Sequence, residues 1–334
     1  MRLRFVITLV LVGLLVGAAS AAAYPWPIRP FDKQHVIRAN FGDPRTVFGH
    51  AILSDGLAGP GAFEFHNGVD IPAPEGTNVY PVVSGTANVI NAGAVAVRTD
   101  DNRVFRYFHI IPLIVSGQRV IARHTVLGLV MHAYEHVHLT EIRGMRVWNP
   151  LAAGGIAPYR DNTAPQVDSI DVRREGSLLP LDTAHICGTV SIVAAAYDPP
   201  SLPLTRAYAG YAVSPALVTW SLRRVGGGGH WYVQDDTVAD FRTTLPLPRY
   251  FWDVYARGSF QNSPRFSRQQ FHMPGRYYYN LASRLHTESY PNSVYEVTVD
   301  VADMRGNWGE AQQRFTIANK PGSPTGCQEP SSAP

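Results

Sequence analysis

Three short stretches carry histidines at spacings that could do chemistry. The first, EFHNGVDIPAPEGT at 64–77, sets His66 four residues before Asp70. Such a pair would share one helix face, but Asn67-Gly68 is a turn signal and Pro72 and Pro74 follow, so a turn leading into a strand fits better. Taken alone the pair is either half of a metal site or a turn histidine beside a satisfied aspartate. The second, EHVHLTEI, sets His136 and His138 on either side of one valine. Side chains alternate along a strand, so both imidazoles face the same way, about 6–7 Å apart. Two such rings are costly to bury without a partner, and a metal ion is a partner that holds neutral imidazoles; a solvent-facing strand edge is the alternative. The third, RYFHI, ends the strand-like run Val104–His109 on His109.

Strands must position these side chains. Val79–Val83, Thr86–Ile90, Ala94–Thr99, Val104–His109 and Val137–Ile142 have strand length and composition, and no long segment has helical periodicity. Roughly 310 residues beyond the N-terminal segment exceed what one core comfortably fills, which predicts two domains. The segment 151–165, LAAGGIAPYRDNTAP, is rich in Gly, Pro and Ala and is the expected linker between residues 24–150 and 166–320. Beyond it, VSIVAAAYD, ALVTWSLRR and YEVTVDVAD are strand-like runs spaced by turn signals, which suggests a β-sandwich. The expectation is therefore an all-β protein of two β domains followed by a tail, 321–334. The glycine run Gly226–Gly229 lacks the lysine and helix of a phosphate loop and is expected to be a loop.

The chain opens MRLR, continues through an apolar run of about 15 residues and meets the small residues Ala19-Ser20-Ala21 and Ala21-Ala22-Ala23. That is the pattern of a secretory signal peptide over 1–23, shorter than the roughly 20 apolar residues a span requires. An exported protein without a stable membrane span is expected. The formal charge of +3 falls to +1 once Arg2 and Arg4 leave with the signal, which gives no electrostatic reason to expect nucleic acid or an anionic membrane as partner. Two cysteines, Cys187 and Cys327, are too few for a thiolate zinc site, and in an oxidising compartment they suggest one disulfide.

Together, HNGVDI, YFHI and HVH resemble the three ordered motifs of the LytM and lysostaphin family of zinc metallopeptidases, which cut peptide bonds in bacterial peptidoglycan. The flanking stretches PAPEGTNVYPVVSGTANVI and SGQRVIARHTVLGLV look like the family's framework, and the resemblance covers about Phe31 to Pro150. It implies a compact antiparallel sheet domain with the site in a groove. It implies one Zn2+ held by His66, Asp70 and His138, with His109 and His136 as the non-ligating catalytic histidines, His136 favoured as base. Three protein ligands would leave a fourth position open, as a hydrolytic zinc requires. The implied substrate is a peptidoglycan peptide or another extracytoplasmic peptide. A wall-binding or regulatory protein that keeps the fold without activity is the alternative.

The sequence departs from the family in places. The family follows its His-x-His with a hydrophobic residue and a carboxylate; here Thr140 stands in the carboxylate position and Glu141 one residue later, where alternation points it away from the site. Ala133-Tyr134-Glu135 replaces the usual glycine-rich approach. NFGDPR at 40–45 resembles a segment at the groove edge, where Asn40 or Arg45 could contact substrate. His124 and His132 are expected at the surface. The later half, with PGRYYYN and YEVTVDVADMRGNWGEAQQRFTI, looks like an immunoglobulin-like sandwich, and its aromatics, Trp220, Trp231, Trp252 and Tyr277-Tyr278-Tyr279, are expected mainly in packing.

Overall fold

Alternating apolar and polar residues dictate strands almost everywhere in this chain. A computed structural model describes residues 23–46, 63–132, 134–203, 212–226, 229–261, 275–320 and 327. The expected signal segment up to residue 22, Ala133, residues 227 and 228 of the glycine run, His272, and the tail apart from Cys327 lie outside the described residues.

Twelve strands come first: β1 (Pro44–Thr46), β2 (Phe63–Phe65), β3 (Val69–Pro72), β4 (Asn78–Val79), β5 (Gly85–Asn91), β6 (Ala94–Arg98), β7 (Arg103–Phe108), β8 (Ile110–Pro112), β9 (Gln118–Val120), β10 (Gly128–Val130), β11 (His136–Arg143) and β12 (Arg146–Trp148). The main antiparallel sheet runs β12-β11-β7-β6-β5-β9, with β3 also paired to β11, while β4, β10 and β8 form a smaller sheet. Strand β11 shows why the pattern works. Val137 and Leu139 enter the core with Val69, Val95, Val97, Phe105 and Tyr107, so the alternate residues His136, His138 and Thr140 turn to the opposite face.

The second half holds β13 (Gln166–Arg174), β14 (Thr189–Tyr197), β15 (Leu217–Arg224), β16 (Trp231–Asp240), β17 (Tyr278–His286), β18 (Ser293–Ala302) and β19 (Trp308–Ile317). They form two antiparallel sheets, β13-β14-β17 and β16-β15-β18-β19, whose inner faces share one core that includes Trp220, Tyr277 and Tyr279. Trp231 and Trp252 are exposed. Cys187 and Cys327 are joined in a disulfide across 140 residues.

Three expectations need correction. The run Val79–Val83 yields only the two-residue β4, because Pro81 has no N–H for a ladder. Strand β7 stops at Phe108, and His109 takes the left-handed conformation at φ 65°, which ends the ladder. The segment 151–165 is a packed connection: Leu151 and Ile156 lie in the first core, Ile156 bridges to Tyr24, and the chain passes so closely that a Cβ on Gly155 would stand 2.1 Å from the Pro150 carbonyl oxygen. Glycine and alanine serve here for close approach.

The two halves share a core. Phe41 and Phe65 belong to the cluster of the second half, where the Phe65 ring meets those of Phe241, Phe251 and Tyr255 at 5.7, 5.3 and 5.9 Å. Gly42, at φ +95°, lies so close to Phe241 that a Cβ would stand 2.4 Å from its ring. The Tyr255 hydroxyl donates to the Gly42 carbonyl at 2.8 Å.

Candidate metal centre

Strand register assembles the centre. In the β3–β11 ladder Asp70 stands directly opposite His138, so a carboxylate and an imidazole 68 residues apart in the chain become neighbours. His66 precedes β3 by a turn whose Gly68 leaves room for β11. Any side chain there would meet the Leu139 carbonyl oxygen at 2.3 Å and His138 Nε2 at 2.8 Å. On its other side β3 is held by the segment before β1, where Asp70 N–H donates to Ala39 O and Arg38 N–H donates to Asp70 O.

Three donor atoms converge. His66 Nε2 is 2.9 Å from His138 Nδ1 and 3.2 Å from Asp70 Oδ1, and His138 Nδ1 is 3.0 Å from the same oxygen. All three residues are buried. The far nitrogen of His66, Nδ1, lies 2.7 Å from the Asn40 carbonyl oxygen, which can only accept, so Nδ1 carries the proton and Nε2 presents a lone pair. Burial above all, and then the nearby Arg45 guanidinium, push the His66 pKa down to about 3, so the ring is neutral. His66 Nε2 and Asp70 Oδ1 therefore face each other with no proton between them. At most one proton, on His138 Nδ1, can be shared among the three atoms. Such a juxtaposition of buried acceptors is relieved by a cation.

The rest of the cluster orients these donors. His138 Nε2 is 2.8 Å from Thr140 Oγ1 and 3.0 Å from Asn67 Oδ1. Thr140 thus holds the position that the family fills with a carboxylate. Glu141 points the other way, accepting from the Tyr24 hydroxyl at 2.8 Å and from Arg143 Nε at 2.7 Å. The outer oxygen of Asp70, Oδ2, accepts from Arg45 Nη2 at 2.7 Å and Arg38 Nη2 at 3.1 Å, and these contacts with the histidines hold its carboxyl well below the usual range although burial opposes them.

Two further histidines flank the donors. His136 Nδ1–H donates to the Tyr134 carbonyl at 2.6 Å, which leaves Nε2 as an acceptor 3.2 Å from Arg38 Nη2 and 3.5 Å from Asp70 Oδ2. Burial, and then the Arg38 guanidinium, hold its pKa well below the ordinary imidazole value. The His109 ring stacks on Tyr134 at 4.0 Å and meets the His136 ring edge-on at 4.6 Å. Burial pushes its pKa down to about 3.

The four histidines and the aspartate singled out in the sequence thus come together, and the two expected groove residues, Asn40 and Arg45, are buried beside them. Asn40 is buried; its backbone carbonyl orients His66 and its side-chain Nδ2 donates to Ser214 O of the second half at 3.2 Å. Arg45 is buried against Asp70. His124 is exposed, and exposed His132 pairs with Glu75 at 2.5 Å, away from the centre. Sequence reasoning missed Arg38, whose only signal was its place two residues before Asn40, and missed Asn67 as a partner of His138. Ser214 and Gln261, which hold the 38–45 segment from the second half, carried no signal at all.

No family model and no curated protein matches the chain. Solved structures similar to it include M23-type peptidases. A chain of the SpoIIQ–SpoIIIAH pore-forming complex is similar over 40% of this chain and 90% of its own, at 16% identity and a TM-score of 0.31. A mutant catalytic domain of the prophage-encoded M23 protein EnpA from Enterococcus faecalis covers 30% of this chain and 82% of its own, at 21% identity and a TM-score of 0.22. A zinc-containing peptidase from Vibrio cholerae covers 33% and 37%, at 22% identity and a TM-score of 0.23. Likenesses this shallow carry no argument about chemistry; the donor atoms do.

Proposed function

We propose that this chain is an exported zinc metalloendopeptidase that hydrolyses peptide bonds, with peptidoglycan cross-links as the substrate class. The observation that carries the reading is the convergence of His66 Nε2, His138 Nδ1 and Asp70 Oδ1 within 2.9–3.2 Å of one another, beside two further neutral imidazoles. Two imidazole nitrogens and one carboxylate oxygen suit zinc, whose ligands at about 2.0–2.1 Å in a tetrahedron stand roughly 3.3 Å apart, and three protein ligands leave one position for chemistry. When bound there, zinc supplies Lewis acidity toward a scissile carbonyl and a water.

The chain's own groups do the rest. Arg45 and Arg38 hold Asp70 so that Oδ1 is committed to the centre. Thr140 and Asn67 fix the His138 ring. His136, locked by its bond to the Tyr134 carbonyl, accepts a proton at Nε2 once Arg38 yields. His109, only half-buried, meets the substrate from the open side and shares that proton traffic or stabilises developing oxyanion charge. The disulfide fits an oxidising compartment, and no helix among the described residues is long and apolar enough to cross a membrane.

One observation favours a second reading, a non-catalytic wall-binding or regulatory protein: Arg38 sits on the acceptor nitrogen of His136. Metal content and release of amino groups from purified peptidoglycan separate the two. The enzyme reading expects about one zinc per chain and hydrolysis, loss of zinc in His66→Ala, and loss of activity with zinc retained in His136→Ala. A wild-type chain that binds zinc but leaves every wall and peptide intact would overturn it.

A further inference from the structure

A second cluster lies far along the chain from the first. Asp161 comes from the packed connection, Asp198 follows β14, and Asp303 follows β18. All three are buried, at 6%, 2% and 3% exposure, and each offers a carboxylate oxygen within 4.8 Å of the others. None of them makes an ion pair among the described residues. Arg305, two residues after Asp303, directs its guanidinium to the carbonyl and ring of Tyr159 instead.

Two of the carboxylates are oriented by donors. Asp161 Oδ1 accepts from Thr163 N–H and Oγ1–H at 3.0 and 2.5 Å. Asp303 Oδ1 accepts from the N–H groups of Arg305 and Asn307 at 2.7 and 2.9 Å, and Asn307 Nδ2 bridges Asp303 Oδ2 and the Asp161 carbonyl. Asp198 differs. Its Oδ1 is buried with no hydrogen-bond partner, although the residue is 98% covered and its carboxylate belongs to the cluster. A buried carboxylate oxygen without a donor costs several kcal/mol in general. Either a proton on Asp198, whose pKa burial and the neighbouring carboxylates push up to about 9, or a bound cation relieves it.

We propose that Asp161, Asp198 and Asp303 form a calcium site. The chemistry is oxygen alone, which suits a hard cation and disfavours zinc. Calcium takes about six to eight oxygens in a flexible shell, whereas magnesium dehydrates reluctantly and demands a near-ideal octahedron, so three buried carboxylates favour calcium. The ion ties the connection to both sheets of the sandwich. It does so beside the mutual backbone bridge of Asp198 with Val213, whose neighbour Ser214 holds Asp43 near the first centre. Calcium therefore braces the junction between the two halves, whatever reaction the first centre performs.

The test is a calorimetric titration of CaCl2 into the full chain in calcium-free buffer, with MgCl2 as comparison and thermal unfolding followed in parallel. The expected result is one calcium per chain with half-saturation at or below the roughly 10⁻⁴–10⁻³ M typical of extracellular modules, a raised Tm, and at least tenfold weaker magnesium binding. Asp198→Asn and Asp303→Asn should each weaken calcium at least tenfold, and His66→Ala should leave it unchanged. Should Asp198→Asn fail to fold, Asp303→Asn and the wild-type titration decide. The proposal is overturned if the wild type neither binds calcium nor gains Tm by about 10 mM, which would mean that a proton neutralises Asp198, or if both variants bind as the wild type does.

Discussion

Ser214 donates two hydrogen bonds to Asp43 Oδ1, from its N–H at 2.8 Å and its hydroxyl at 2.6 Å, while Asp43 Oδ2 accepts from Asn40 N–H at 2.8 Å. A residue of the second half thereby fixes the segment that carries Arg38, Asn40 and Arg45. Gln261 adds a bond from its N–H to the Pro44 carbonyl. The sandwich is part of the wall of the candidate centre and cannot be treated as a detachable spacer.

Cutting the chain after residue 165 should therefore abolish metal binding and leave an aggregating fragment, because Phe41 and Phe65 lose the rings that cover them. Each buried phenylalanine is worth about 1.5–3 kcal/mol, and the exposed pair would form an apolar patch. Size-exclusion chromatography with metal analysis of residues 24–165 checks this. A monomeric fragment that retains one zinc would refute the dependence.

Asp43→Ala removes the acceptor for three buried donors. The expected loss is about 2–4 kcal/mol in urea unfolding, since each donor left unsatisfied costs about 1–3 kcal/mol and partial rearrangement recovers some of it. Metal affinity should fall with it, because Asn40 holds the His66 tautomer. Unchanged affinity in the folded variant would show that the His66 ring needs no such support.

Thr140→Val keeps the shape of the side chain and deletes the oxygen 2.8 Å from His138 Nε2. Loss of an outer partner of a ligating histidine typically weakens metal binding about 10–100-fold. Competition against a chelator of known affinity measures the change. Equal affinity would assign the orienting role to Asn67 alone.

Arg38→Met should leave the metal in place, since Arg45 still holds Asp70 Oδ2, but should change the pH profile of the rate. Arg38 helps to hold His136 in its neutral form, so removing the guanidinium raises the His136 pKa. The acid limb of the profile should then move to higher pH. A profile that does not move would show that His136 is not the group whose protonation limits the rate.

Acid should destabilise the metal-free chain. His66 and His109 have folded pKa values near 3, below the ordinary 6.5, so between those limits the unfolded state binds more protons. Their contribution is complete above about pH 6.5 and is lost as pH falls toward 3. Tm measured in chelator from pH 7 to pH 4 should fall, with a shallower slope in His66→Gln. A Tm independent of pH across that window would contradict buried neutral imidazoles.

The sequence by itself determined the strand-rich fold, because alternation and turn residues act locally, and it singled out five residues that the structure brings together. His136 and His138 share a face by the two-residue repeat alone, and Asn67-Gly68 signals the turn that precedes β3. The tertiary structure decided what no local signal can encode. Register set Asp70 opposite His138, and strand β7 ended one residue early to turn His109 toward His136. Asn40 and Arg45 came to lie buried against His66 and Asp70. The expected linker became part of a core, and Phe41 and Phe65 crossed into the core of the other half. These are pairings between residues 25 or more positions apart in the chain, fixed by burial of apolar rings and by the need of each buried donor for an acceptor.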